Sequence, residues 1–473
     1  MRESLNASAE DISADVLKYY DLGAGSIIDG IGSGYRKWTM ASFMGRVNYN
    51  YLGRYLLTVS ARYDGSSRLA DGHKWVLFPS AALAWRISDE KFMKNIKWLD
   101  NLKLRVGYGK TGNSSVDPYQ TRGTLSKVYY VYNNGKDEVL GYAPKKMANK
   151  LLTWETTEQY NLGLDFGFLK NRINGSIDLY LQKTYDLLLE RQLPVVSGFS
   201  NIVSNIGRTQ NKGIEISLNT RNVVTKNFEW TTDLTFTAGR EEIVELYNGK
   251  VDDPGSGWFI GEPIDVYYNY KKIGIWQDTP EDLAEMEKFN ANGANFKPGT
   301  IRLWDNGDYK ITEEDKQIIG TKRPKFVASM VNSFRYRDFD FSLFLYGSQG
   351  GMLKNDISIM EKPGRANSVR LDYWTPNNPT NAYPRPSVDM ERPDYINTTY
   401  YENASFLRVR NITLGYTLPK ALTSKWSIDK LRFYVTANNP LIFTNFSGID
   451  PEGATGNTSP SYSSWMFGLN LSL

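Results

Sequence analysis

Cysteine is absent from the 473 residues, and histidine occurs once, at position 73. Without thiols there is no disulfide scaffold, no thiolate zinc site and no cysteine nucleophile. His73 sits in Asp71-Gly72-His73-Lys74-Trp75, a turn-like stretch without identifiable partners for a catalytic triad or a histidine metal site, and reads as an exposed loop residue. No catalytic residue and no enzymatic activity are assigned. No stretch approaches about 18 consecutive apolar residues, so a helical membrane span is excluded. The net charge is only +4, and no lysine or arginine run points to a nucleic-acid partner. Gly30, Gly32 and Gly34 alternate, but no strand precedes them and no helix follows, so they predict a flexible loop and not a dinucleotide site.

What the chain has in quantity is a two-residue rhythm. In the stretch from Arg54 to Asp64, Tyr55, Leu57, Val59, Ala61 and Tyr63 share one parity, while Arg54, Thr58, Ser60, Arg62 and Asp64 share the other. Successive side chains of a β-strand point to opposite faces, so this segment has one apolar and one polar face. The pattern recurs at Leu102–Tyr108, Tyr160–Phe168, Ile173–Leu181, Trp230–Ala238 and Trp465–Leu473. About 13 such strands are expected, many long enough for the roughly 9–11 residues of a tilted transmembrane strand. An apolar face closed by aromatics, opposite a polar face, is the signature of a transmembrane barrel with a polar lumen.

The links alternate in length. Short ones fall near Leu52–Gly53, Leu169–Asn171 and Arg337–Asp338; long ones span 111–153, 241–324 and 350–403. This is the expectation for an outer-membrane barrel with tight periplasmic turns and long outer loops. Residues 1–37 read as a polar outer-loop segment with Leu17, Tyr19 and Leu22 as scattered anchors, and 38–473 as barrel. Residues 1–34 carry no basic start followed by an apolar core, so the expected origin is the later part of a larger protein.

The long loops carry local order of their own. Thr279-Pro280-Glu281-Asp282 predicts a helix start, with Leu283, Met286 and Phe289 as its packing face and Gly293 as its stop. Thr312 with Asp315 predicts a second cap, with Gly320 ending that helix. Asp305-Asn306-Gly307-Asp308 resembles a calcium loop, but the twelve-residue register puts Lys310 and Lys316 where glycine and glutamate are required, so no metal is assigned. Trp258, Trp276, Trp304, Tyr373 and Trp374 are the candidate substrate contacts, because aromatic faces can stack on a sugar ring; loop packing is the competing role for most of them. Arg62, Lys103, Arg105 and Asp178 fall on the polar parity and are the candidate lumen-lining groups.

An ordered set of motifs carries a family resemblance. Gly45-Arg-Val-Asn-Tyr-Asn-Tyr-Leu-Gly-Arg-Tyr-Leu-Leu-Thr58, Leu77-Phe-Pro-Ser80, Trp98-Leu-Asp-Asn-Leu-Lys-Leu-Arg105, Asn205-Ile-Gly207, Phe296-Lys-Pro-Gly299, Leu407-Arg-Val-Arg410 and Gly448-Ile-Asp-Pro-Glu452 resemble, in order, the SusC/RagA class of TonB-dependent outer-membrane transporters of Bacteroidetes. That resemblance implies the later part of a barrel of roughly 22 strands. The N-terminal plug and TonB box would lie before Met1. It also implies a SusD-like surface lipoprotein, the TonB energy complex and outer-membrane lipid as partners. Import of an oligosaccharide, or of a peptide, without covalent chemistry or a cofactor would be the function. The chain departs from the family at Tyr309, where the loop usually has glycine, at Asn438-Asn-Pro-Leu441, and at Leu473, where an aromatic usually ends the barrel. The alternative from composition alone is a soluble all-β glycan-binding or adhesion protein.

Overall fold

The computed structural model describes residues 2–12, 25–135, 137–355, 371–386, 393–452 and 461–473. Thirteen strands form one antiparallel sheet in which each strand hydrogen-bonds to the next in chain order. They are β1 (Met40–Tyr51), β2 (Tyr55–Ser66), β3 (Trp75–Arg86), β4 (Leu99–Asn113), β5 (Glu155–Phe168), β6 (Ile173–Tyr185), β7 (Arg208–Val224), β8 (Phe228–Glu245), β9 (Phe326–Tyr336), β10 (Phe339–Gln349), β11 (Phe406–Thr417), β12 (Lys430–Thr444) and β13 (Ser464–Ser472). Every strand expected from the two-residue rhythm is present. Pro79, which has no N–H to donate, lies in β3 just beyond the pairing with β4 that starts at Ser80.

The register turns local alternation into two continuous faces. Tyr49, Leu57, Leu83, Val106, Leu162, Leu179, Ile214 and Ala238 lie side by side on β1 to β8. Leu83, Val106, Leu162 and Leu179 remain about half exposed, as a lipid-facing row requires. The opposite parity carries Ser60, Ser80, Gly109, Gln159, Gln182, Asn211 and Glu241 across β2 to β8. Ser60 and Ser80 are joined by a 2.7 Å hydrogen bond, and Gln182 donates to Gln159 at 3.3 Å. At the short-turn end the apolar face finishes in stacked rings, Tyr55 on Trp85 and Phe166 on Phe168 among them.

The described parts of the long links are folded. Residues 1–37, read from sequence as loop, carry a hairpin of Arg2–Ile12 with Gly25–Arg36 outside the large sheet, and the alternating glycines lie in its second strand. Leu17, Tyr19 and Leu22 lie outside the described residues. The link after β4 holds the hairpin Thr124–Tyr132 with Asp137–Lys146. The link after β8 pairs Val266–Tyr270 with Lys316–Thr321 and Lys272–Ile275 with Ile301–Leu303, and contains helix α1, Pro280–Ala291. Thr279 caps α1 by accepting from the Asp282 N–H, and Pro280 occupies the first turn. Met286 and Phe289 are buried against Trp276 and Phe296, whereas Leu283 points outward at 41% exposure and is not part of the packing face. The second expected helix is also corrected. Thr312 and Asp315 do form a capping box, but the helix is one short turn, Glu313–Asp315, because Lys316–Thr321 is recruited as a strand by Val266–Tyr270.

Candidate lumen and outer loop unit

The polar face is organised around arginine–aspartate pairs that reach over a glycine. Lys103 and Arg105 on β4 share a face with Asp165 on β5 and Asp178 on β6. Arg105 Nη2 donates to Asp165 Oδ1 at 2.7 Å and to Asp178 Oδ2 at 3.0 Å, and Lys103 approaches Asp165 at 3.5 Å. The β5 residue between Arg105 and Asp178 is Gly163. A Cβ there would lie 2.6 Å from both the Arg105 Cζ and Asp178 Oδ1, so the pair spans three strands only because that position has no side chain. The same device recurs six strands on. Arg432 on β12 donates to Asp340 on β10 at 2.8 and 2.5 Å across Gly415 of β11. Among the expected lumen-lining groups, Lys103, Arg105 and Asp178 are thus one cluster. Arg62 stands apart, bound to Asp64 at 2.6 Å and to Ser42 at 3.1 Å. Asp165, Asp340 and Arg432 were not singled out from the sequence; their polar parity was visible, but their partners lie 60 to 92 residues away.

At the outer rim the ion pairs are buried. Arg408, 4% exposed on β11, donates to Asp450 at 2.6 Å, and its Nε lies 2.8 Å from Glu452, which also binds Arg410. Burial opposes ionisation of Asp450. Hydrogen bonds from Ser461 and from the Glu452 N–H, with the Arg408 charge, outweigh it and hold the carboxyl below its ordinary value.

The candidate loop aromatics divide by burial. Trp276 and Trp374 are 1% and 4% exposed and form the centres of two loop cores, one with Met286, Phe289 and Phe296, the other with Ile275, Ile301, Leu303, Ile396 and Tyr400. They hold the loops together and present no face to a ligand. Gly299 belongs to the same packing: with φ of +87° it lies under the Trp374 ring, where a Cβ would be 2.5 Å away. Trp304 and Tyr373 are exposed, and Trp258 is half-buried. Lys272, beside this core, donates to the Ala382 carbonyl, and burial pushes its amine down to about 8. In the 305–315 loop the carboxylates serve the backbone. Asp305 accepts from the N–H groups of Gly307 and Tyr309, and the buried Asp315 from those of Asn306 and Thr312. His73 is exposed in a turn closed by its own N–H to the Ala70 carbonyl.

Residues 8–439 match the family described as TonB dependent receptor-like, beta-barrel. The chain belongs to that family. TonB-dependent receptor P3 of Formosa agariphila is 34% identical, over 99% of this chain and 47% of its own length. TonB-dependent receptor SusC of Bacteroides thetaiotaomicron is also 34% identical, over 92% and 44%. A solved structure of the RagAB peptide transporter superposes on 96% of the chain and 50% of its own, with a TM-score of 0.79 and 25% identity. This TonB-dependent receptor barrel is therefore of SusC/RagA type and an outer-membrane protein of the Bacteroidetes kind. The chain spans about half the length of the curated relatives it matches. The family is one of receptors and transporters, not enzymes.

Proposed function

We propose that this chain supplies wall and outer loops to an energised outer-membrane importer of oligosaccharides. The observation that carries the reading is the division of labour among the loop aromatics. Structural rings are buried in loop cores, while Trp304 and Tyr373 stay exposed on a folded outer unit. Such faces stack on sugar rings, covering apolar ring area while neighbouring polar groups take the hydroxyls. In this reading a SusD-like lipoprotein and the outer loops enclose the substrate. The TonB complex then displaces a plug, and the substrate passes Arg62, Lys103, Arg105 and Asp178. The ion-paired clusters would keep that path polar without leaving strongly attractive single charges that trap cargo. A second reading, peptide import, is favoured by the likeness to the RagAB peptide transporter.

The test is uptake by a Bacteroidetes strain in which the native gene is replaced by a Trp304→Ala/Tyr373→Ala variant. Loss of growth or uptake on an oligosaccharide that the parent imports, with peptide uptake unchanged, supports the sugar reading. Loss of peptide uptake alone supports the second. Unchanged uptake of both would remove these aromatics from the site.

A further inference from the structure

The link between β3 and β4, residues 87–98, is the longest short-side turn before the one that follows β11, and its backbone has a three-residue repeat. Glu90 N–H donates to Ile87, Met93 to Glu90, Ile96 to Met93 and Leu99 to Ile96, at 3.0 to 3.3 Å. Each bond closes a four-residue turn, and successive turns share an end residue. Lys91, Lys94 and Lys97 therefore occupy one equivalent position of three successive turns, and Met93, Ile96 and Leu99 another, half-buried one. All three lysines are exposed. Among the described residues none of them has an ion-pair partner, and neither does the exposed Lys170 on the adjacent β5–β6 turn. The nearby acids are engaged locally: Asp89 accepts from Ser88, and Asp100 from the Asn171 N–H.

A second observation places this segment on the lipid side of the wall. Glu90 is 9% exposed, and its carboxylate accepts from the Tyr55 hydroxyl at 2.7 Å, the Trp85 indole at 3.1 Å and Arg54 at 3.1 Å. Tyr55 and Trp85 share the parity of Leu57 and Leu83, the lipid-facing row. They are the interfacial aromatics of these strands, so the segment hangs from the aromatic girdle and not from the lumen rim. Phe92 and Trp98 are 66% and 57% exposed beside it, and Trp98 packs on Phe168 at 5.6 Å.

We propose that residues 87–98 form a binding site for anionic phospholipid headgroups in the leaflet on the short-turn side of the membrane. Phe92 and Trp98 enter the headgroup–acyl boundary, and Lys91, Lys94 and Lys97 meet the phosphates there. Exposed amphipathic rings and unpaired lysines together at a membrane boundary recognise a lipid surface through both apolar burial and charge. The Glu90 carboxylate fixes the depth, because it ties the segment to side chains that already sit at the interface. The inference rests on the membrane location of the barrel and not on what is imported.

The test measures phosphatidylglycerol and phosphatidylcholine retained by the purified full-length receptor in mixed micelles, by native mass spectrometry. The parent is expected to prefer phosphatidylglycerol. K91Q/K94Q/K97Q is expected to lose affinity by roughly fivefold per lysine removed, on the order of a hundredfold in all. K91R/K94R/K97R is expected to keep it. A K127Q/K145Q/K150Q variant, altered at exposed lysines on the long-loop side, is expected to behave as the parent. Equal retention of both lipids by the parent, unchanged retention by the glutamine variant, or equal loss in the long-loop control would each overturn the proposal.

Discussion

Arg408 and Asp450 lie 42 residues apart in sequence and meet at 2.6 Å, each with only 5% of its side chain exposed. The two residues belong to Leu407-Arg-Val-Arg410 and Gly448-Ile-Asp-Pro-Glu452, two of the motifs that carried the family resemblance. The structure gives those motifs one physical purpose: the first supplies two guanidinium groups at the outer end of β11, the second the carboxylates that neutralise them. The link after β12 is thereby pinned to the rim.

Removing Asp450 should leave the buried Arg408 guanidinium with Glu452 as its one remaining carboxylate, which Arg410 shares. Asp450→Ala is expected to cost about 3 kcal/mol at the rim. Because the Asp450 carboxyl is held below its ordinary value of 3.8, its contribution is complete above that value and is lost as pH falls through the folded value. Amide exchange at the outer ends of β11 and β12 should speed up in the variant at neutral pH and in the parent only in acid. A parent with equal protection in both conditions would contradict this.

Gly163→Ala should part Arg105 from Asp178, since the new methyl would occupy the space their charged ends share. The expected cost is about 1–3 kcal/mol, read as a lower unfolding temperature in detergent. In an Asp178→Ala background the same substitution should cost less, and a double-mutant cycle checks it.

Lys272 gives a pH effect of the opposite sense. Its folded value of about 8 lies below the ordinary 10.5, so the unfolded loop binds the proton more tightly between those limits. Stability of the loop unit is therefore lower below pH 8 and climbs as pH rises toward 10.5. Exchange protection of Lys272–Ile275 and Ile301–Leu303, corrected for intrinsic rate, should increase across that window. Lys272→Met should abolish the increase.

Trp276→Ala should empty the centre of the α1 core and cost about 3–5 kcal/mol there. Limited proteolysis should then cut within 272–303 while the thirteen-stranded sheet stays intact. Trp304→Ala should leave the proteolytic pattern unchanged. Equal sensitivity in the two variants would contradict the division between packing and exposed rings.

The sequence by itself determined what is local. A strand's faces are set by residues two apart, so the apolar and polar parities of β2, β4, β5, β6, β8 and β13 could be read directly, as could the tight turns at Leu52–Gly53 and Leu169–Asn171. The start of α1 was equally legible, because Thr279 and Pro280 act within one turn. Tertiary structure decided whatever depends on which residues stand opposite one another. Cross-strand register placed Gly163 beneath Arg105 and Asp178. Competition for a strand partner turned Lys316–Thr321 away from helix, because pairing with Val266–Tyr270 satisfies its backbone groups and a lone capped turn does not. Packing alone sorted Trp276 and Trp374 from Trp304 and Tyr373: an aromatic in a loop has the same composition signal whether it closes a core or faces water, and only the chain segments folded around it distinguish the two.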